Sequence, residues 1–255
     1  MSVMLNEERR LKIQGIVTQN KRIVVKEISK EFDISEVTVR KDLEVLEKRG
    51  ILSRVHGGAI LNQSSVHDIA LTEKEHIYPK AKQLIGEKAA QMIKEGDVIF
   101  LDSGSTTTQI ARNIKFKKDI KVITNAVNIA SELAGTEIEV ILTGGLLREK
   151  SFSLVGPIAE DSLQHINADK LFLGVDGIHF EFGLTTPNLM EARVNQLMIK
   201  KSIEVILVSD SSKFGKRSMS FIADIGSVQQ VITDKGIHND DLRSLEELGV
   251  KVFLV

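Results

Sequence analysis

From residue 98 onward, short apolar runs alternate with stretches whose apolar residues recur at helical spacing. The runs occupy residues 98–102, 121–124, 139–143, 170–175, 204–209, 229–233 and 251–255. The helical patterns lie at 106–113, 127–133, 157–166, 189–200 and 240–248, and a further one at 81–92 carries Ala81, Leu84, Ile85, Ala89 and Met92. A strand that is apolar throughout has no face to offer water. Such strands, separated by amphipathic helices, belong in a mainly parallel sheet covered on both sides. The spacing therefore predicts a doubly wound, mainly parallel α/β domain over residues 78–255. Residues 61–77 are polar and mixed, with Asn62-Gln63-Ser64-Ser65 and no apolar period, and read as an interdomain linker.

Sheets of this kind bind ligands outside the carboxyl ends of their strands. The apolar run ending at Leu101 leads into Asp102-Ser103-Gly104-Ser105-Thr106-Thr107, followed at once by a helical pattern. Strand, small-residue turn and helix start are the parts of an anion cradle, because the first N–H groups of a helix lack partners and carry the positive dipole end. Hydroxyls of Ser105, Thr106 and Thr107 would add donors. Other strand ends are similar: Thr124-Asn125-Ala126, Thr143-Gly144-Gly145, Gly174-Val175-Asp176-Gly177 and Ser209-Asp210-Ser211-Ser212-Lys213. Lys213 adds a positive charge suited to a phosphate. Each stretch taken singly reads equally well as a turn or helix cap; together they point to a polar, phosphorylated ligand.

The first sixty residues follow different rules. Helical faces formed by Ile13, Ile16 and Val17, then by Val25, Ile28 and Phe32, precede a turn at Asp33-Ile34. Ser35 caps a third helix whose inward set is Val39, Leu43 and Leu46, and Gly50 stops it after Lys48 and Arg49. Two helices joined by a short turn, the second capped by Ser, match the helix-turn-helix arrangement. Glu36, Val37, Arg40 and Lys41 are left on the outward face near the helix start, where base edges and phosphates are met. Thr38 either donates to a phosphate or bonds within its own helix. After Gly50, two β-prone runs flank Gly57-Gly58 and form a wing that carries Arg54 and His56. The head is basic, with 12 Lys+Arg against 9 Asp+Glu, giving +3. The remaining residues hold 22 against 26, giving −4. A basic module on an acidic body suits nucleic-acid binding by the head.

With no cysteine in its 255 residues, the chain has no disulfides, thiolate nucleophile or Cys-based zinc site. Its histidines form no ligand spacing, so no metal is expected. No apolar run approaches the roughly 20 residues that span a bilayer. The first residues lack the apolar core of a signal peptide, so the expected location is cytoplasmic, away from membranes.

The run Ile34-Ser35-Glu36-Val37-Thr38-Val39-Arg40-Lys41-Asp42-Leu43, with Gly50 and Arg54 through Ala59, resembles the N-terminal signature of the DeoR-type bacterial repressors. It departs from that signature at Ile34, Val39 and Lys41; a lysine keeps phosphate attraction but lacks a guanidinium fork. The strand-end stretches resemble the same family's sensor domain, which is related in fold to ribose-5-phosphate isomerase. This implies a small winged helix-turn-helix domain (1–60) that binds double-stranded operator DNA through Ser35, Glu36, Val37, Thr38, Arg40, Lys41, Arg54 and His56. It also implies a sensor domain in which Ser103, Gly104, Ser105, Thr106, Thr107 and Lys213 hold the phosphate of a phosphorylated sugar effector. Asn125, Gly144, Gly145, Asp176 and Glu191 would line the sugar, with Asp102 contacting it or ordering the loop. Leu171 to Gly177 and Glu191-Ala192-Arg193 resemble the galactosamine and N-acetylgalactosamine utilisation repressors. A homo-oligomer, dimer or tetramer, would match paired half-sites, and no cofactor is implied.

Two functions are compatible with these residues. One is a ligand-responsive repressor; the other is a sugar-phosphate isomerase or deaminase with a DNA-binding head. Asp102, Glu149, Asp176 and Glu191 are candidate bases for the second. The isomerases, however, carry a lysine-glycine-rich catalytic loop before an Arg-Glu pair. Here Arg148-Glu149 is present, but Thr143-Gly144-Gly145 arrives without that lysine.

Overall fold

The computed structural model describes residues 6–48, 51–61 and 68–255, which form two compact units divided between residues 67 and 68. The expected helix stop at Arg49 and Gly50, and the linker residues 62–67, lie outside the described residues.

The smaller unit is a winged helix. Helix α1 (Asn6–Asn20) leads through β1 (Arg22–Val24) into α2 (Val25–Glu31) and α3 (Glu36–Lys48), followed by β2 (Leu52–Val55) and β3 (Gly58–Leu61). Ile13, Val17, Ile28, Val39, Leu43, Leu46 and Leu52 fill its core, including the full inward set expected of the third helix. Asp33 takes the left-handed backbone at the turn before α3, with φ 51°. The wing turn is His56-Gly57, one residue earlier than the diglycine pair suggests, because Val55 pairs directly with Gly58. Strand β1 was not legible in the sequence. It pairs with β3 so closely that a Cβ on Gly58 would stand 2.1 Å from the Ile23 carbonyl oxygen. Both oxygens of buried Asp42 in α3 are taken by α1, Oδ2 by Arg9 Nε at 2.6 Å and Oδ1 by Arg10 Nε at 2.9 Å.

The larger unit opens with α4 (Leu71–Glu75) and α5 (Pro79–Gln91). Then follow β4 (Val98–Leu101), α6 (Ser105–Ile114), β5 (Lys121–Thr124), α7 (Val127–Leu133) and β6 (Glu139–Leu142). A hairpin of β7 (Leu146–Arg148) and β8 (Ser153–Val155) precedes α8 (Pro157–Gln164) and β9 (Ala168–Leu173). Strands β10 (Gly177–His179) and β11 (Gly183–Thr186) lead to α9 (Leu189–Lys200), β12 (Ser202–Val208), β13 (Ser220–Ala223), β14 (Gln230–Thr233), α10 (Asn239–Glu247) and β15 (Lys251–Leu254).

Seven strands pair in parallel in the order β15-β14-β12-β9-β4-β5-β6. They are the seven that the apolar runs predict. Side chains alternate between two cores: Phe100, Leu171, Leu173, Val205, Leu207 and Val231 on one face, and Ile99, Leu101, Phe172, Ile206, Val208 and Ile232 on the other. Helices α5, α6 and α7 cover the second face, while α8, α9, α10 and the small sheet β10-β11-β13 cover the first. The chain runs outward from β4 through β5 to β6, then returns to β9 on the other side of β4. The strand order therefore reverses between β4 and β9, the place where such sheets bind ligands.

The reading of 61–77 as linker is corrected at both ends. Leu61 closes β3, and Leu71–Glu75 is helix α4, whose Leu71 is buried and whose Leu71 N–H donates to the Lys150 carbonyl at 2.6 Å. Five residues are too few to show a helical period.

Replacing Asp42 with Ala would leave Arg9 buried without its partner. The expected loss is about 3–5 kcal/mol from the smaller unit, measured by urea unfolding followed on that unit. A loss under about 1 kcal/mol would show that this ion pair does not brace α3 against α1.

Candidate functional site

On the head, Ser35 caps α3 as expected. Its Oγ accepts from Thr38 N at 3.1 Å and lies 2.9 Å from Thr38 Oγ1, so Thr38 is engaged within its own helix start. Val37, Arg40 and Lys41 are exposed on the outward face. The Arg40 guanidinium pairs with Glu36 at 2.6 Å, one turn back. On the wing, Arg54 gives its backbone N–H and its Nε to Glu47 at 2.8 and 2.7 Å, and those bonds hold the Glu47 carboxyl below its ordinary range. His56 is exposed at the wing tip. The residues expected to touch DNA thus share one unit. Two of their cations are matched by carboxylates that nucleic-acid phosphates would have to replace.

The larger unit holds a cleft of about 680 Å³, mouth included, at the reversal between β4 and β9. Asp102, at the end of β4, and Gly174, at the end of β9, meet there, the Gly174 N–H donating to Asp102 Oδ2 at 3.2 Å. Ser103 to Thr107 line the cleft along the start of α6. Thr107 and Thr108 donate their hydroxyls to the Gly104 carbonyl at 3.0 and 2.6 Å, so the Thr107 hydroxyl is already used within the loop. The first N–H groups of α6 and the hydroxyls of Ser105 and Thr106 remain for an anion.

Around this cradle the charges are dense. The Lys74 ammonium sits 2.5 Å from Asp176 Oδ1, and Lys213 approaches the same oxygen at 3.4 Å. Burial alone would raise the Asp176 carboxyl, but Lys74 and Lys213 outweigh it and hold the group well below the usual carboxylate range. Glu191 accepts from Arg148 at 3.2 Å, Ser153 at 2.9 Å and Thr186 at 3.4 Å. Burial lifts the Asp102 carboxyl to about 7; nearby Glu191 adds to the rise, and the N–H groups of Ser103 and Gly174 oppose it.

Lys82 is the telling group. It is 3% exposed, donates to the Lys74 carbonyl at 2.5 Å, and among the described residues has no carboxylate within ion-pair distance. Burial first, then the like charges of Lys213 and Lys74, depress its ammonium to about 8 against the pull of Asp210. Its position follows from packing. Helix α5 approaches α6 so closely at Gly86 that a Cβ there would lie 2.6 Å from Gln109 Cβ, and Lys82 stands one turn earlier on α5.

Asp102, Ser103, Gly104, Ser105, Thr106, Thr107, Asp176, Glu191 and Lys213 are thus brought together. Asn125, Gly144 and Gly145 do not line the cleft. Asn125 is buried against β8, donating to the Leu154 carbonyl at 3.4 Å. Gly144 and Gly145 take φ of 71° and 118° in the bend between β6 and β7, and a Cβ on Gly145 would meet the Val155 carbonyl oxygen at 2.7 Å. Their glycines serve the bend. Lys74, Lys82, Arg148 and Asn195 line the cleft without having been singled out as effector ligands. Among the described residues no group of three or more metal-ligating side chains occurs, and no helix is long and apolar enough to cross a membrane.

A winged-helix head and an α/β body with a charged cleft at its switch point define a two-domain, ligand-responsive DNA-binding protein. Residues 9–65 match the DeoR-like helix-turn-helix domain, and residues 78–235 match the DeoR C terminal sensor domain. The chain is 38% identical to the HTH-type transcriptional regulator GlpR of Haloferax volcanii over 98% of both chains. It is 39% identical to a putative aga operon transcriptional repressor of Escherichia coli O157:H7, over 97% of this chain and 93% of that one. With the lactose phosphotransferase system repressor of Lactococcus lactis it shares 33% identity over 95% and 97% of the two chains. The chain belongs to the DeoR family of transcriptional regulators. A ribose 5-phosphate isomerase A from Methanocaldococcus jannaschii superposes with a TM-score of 0.40 at 17% identity, over 53% of this chain and 54% of that one, too slight a likeness to carry an argument.

The raised Asp102 carboxyl has a consequence for stability. The folded chain holds this proton more tightly than the unfolded chain does, so Asp102 lowers stability as pH rises from the ordinary aspartate range towards 7. Asp102→Asn removes that decline. Denaturant midpoints between pH 4 and 8 should show the variant gaining on the parent as pH rises; parallel curves would contradict the burial argument.

Proposed function

We propose that this chain represses a carbohydrate-utilisation operon and that a phosphorylated sugar sets its operator affinity. The observation that carries the effector class is Lys82: a buried ammonium with no carboxylate partner among the described residues, lining the same cleft as the N-terminal amides of α6. A dianionic phosphate there would satisfy both, and charge-assisted hydrogen bonds are the strong ones. The remaining polar groups, Asp102, Glu191, Asn195 and Arg148, suit sugar hydroxyls. Ser103 to Thr107, Asp176 and Lys213 complete the proposed effector site, and Ser35 to Lys41 with Arg54 and His56 form the proposed DNA surface.

The chain acts in this account as a cytoplasmic homo-oligomer, since one small head gives limited affinity and symmetric repressors read paired half-sites. Effector binding weakens operator binding only by as much as the effector's own affinity differs between the two states. Catalysis is not part of this reading. Of the four candidate bases, Asp176 is neutralised by two lysines and Glu191 is held by three donors, which suits these two to recognition better than to proton abstraction.

The test uses an operator fragment selected from random DNA by the chain itself, with a panel of sugar phosphates. Lys82→Met should keep operator affinity while needing about tenfold more sugar phosphate for release, the scale of one lost charge-assisted bond. Arg40→Ala with Lys41→Ala should lower operator affinity at least about tenfold and leave effector binding intact. Release unchanged in Lys82→Met, or turnover of any sugar phosphate in the panel, would contradict the proposal.

A further inference from the structure

The stretch of chain that leads from the head into the body is itself built into the cleft. Only residues 62–67 separate β3 from Asp68. Asp68 pairs with Arg148 and, at 3.5 Å, with Lys150. The Leu71 N–H is taken by the Lys150 carbonyl, the Lys74 ammonium by Asp176, and the Lys74 carbonyl by the Lys82 ammonium. Segment 68–75 is therefore strapped down by the same charged groups that form the cleft. Its docking is also opposed from within. Lys74, Lys82 and Lys213 converge there, and Lys74 and Lys213 share a single oxygen of Asp176.

We infer that an anion in the cleft tightens this strap: a phosphate beside Lys82 supplies counter-charge to a lysine cluster in which Lys74 and Lys213 share one oxygen of Asp176, so residues 68–77 close on the filled cleft and loosen from the empty one. The inference rests on the reading of the cleft as a sugar-phosphate site. Its consequence for the head is one of reach. With the strap docked, the chain between the units is the six residues 62–67; with it released through Ile77, the tether spans the sixteen residues 62–77. Chain reach grows with residue number, so filling the cleft narrows the positions open to the head. The ligand then acts on half-site matching without touching the head.

Hydrogen exchange on the full chain, read by mass spectrometry with and without inorganic phosphate and in parallel with a hexose 6-phosphate, tests this. Amides of 103–108 and of 71–77 should both slow on addition, the latter about tenfold. Slowing at 103–108 with 71–77 unchanged or faster would overturn the strap and leave the cleft as an anion site. No slowing in either segment would overturn the cleft reading and the strap with it. Lys74→Met keeps the apolar stem and removes the ammonium; it should retain phosphate protection at 103–108 and lose it at 71–77. Equal protection of 71–77 in the variant would overturn the role given to Lys74.

Discussion

The charged cleft of the larger unit depends on β4 and β9 lying side by side while sending the chain in opposite directions. Because the helices after neighbouring strands then pack on opposite faces, the strand ends part at that point and leave a cleft. The Gly174 N–H to Asp102 bond spans the gap at its floor. Helix α6 presents its start to one side of it, and the loops after β9 and β12 bring Asp176 and Lys213 to the other. The two apolar cores above and below the sheet hold this arrangement rigid.

The cleft's charge pattern follows from burial. An ammonium removed from water needs a counter-charge, and Lys74 finds one in Asp176, whereas Lys82 has none within ion-pair distance among the described residues. Burial would lower the Lys74 ammonium, but Asp176, Glu191 and Asp68 together hold it above its ordinary range. The site is thus short of negative charge around its lysines, Lys82 above all, and matched in charge around Glu191 and Arg148. An anion fits beside the lysines; neutral hydroxyls fit around Glu191 and Arg148. Head and body use the same device in different ways. On α3 and the wing, Glu36 pairs with Arg40 and Glu47 with Arg54, two of the cations proposed for the DNA surface.

Much of the fold was legible because strands buried on both faces are apolar throughout, as the central strands of the sheet are, and the edge strands β6 and β15 carry the same pattern while partly exposed. The hairpins β7-β8 and β10-β11 escaped notice because strands of three or four residues show too little alternation to register. For the site, the strand-end rule succeeded beside the reversal and failed away from it. Asp102 and Asp176 follow β4 and β9 and line the cleft, whereas Gly144 and Gly145 follow the edge strand β6 and shape a bend. Asn125 follows β5, one strand from β4, and turns to β8 instead. Lys82 gave no signal, since Lys80-Ala81-Lys82-Gln83 reads as an ordinary solvated helix face. The close packing of α5 on α6 at Gly86 and the Lys74 carbonyl hold it inward, and neither is visible in that stretch. Lys74 was hidden in a stretch whose composition resembles a linker.

The central claim is that one ligand equilibrium in the body and one DNA equilibrium in the head are coupled. Calorimetric titration of an active sugar phosphate into the free chain and into its operator complex measures that coupling directly. The account predicts that the sugar phosphate binds the complex more weakly, by the same factor by which it lowers operator affinity. Equal affinity for the free chain and the complex would contradict it.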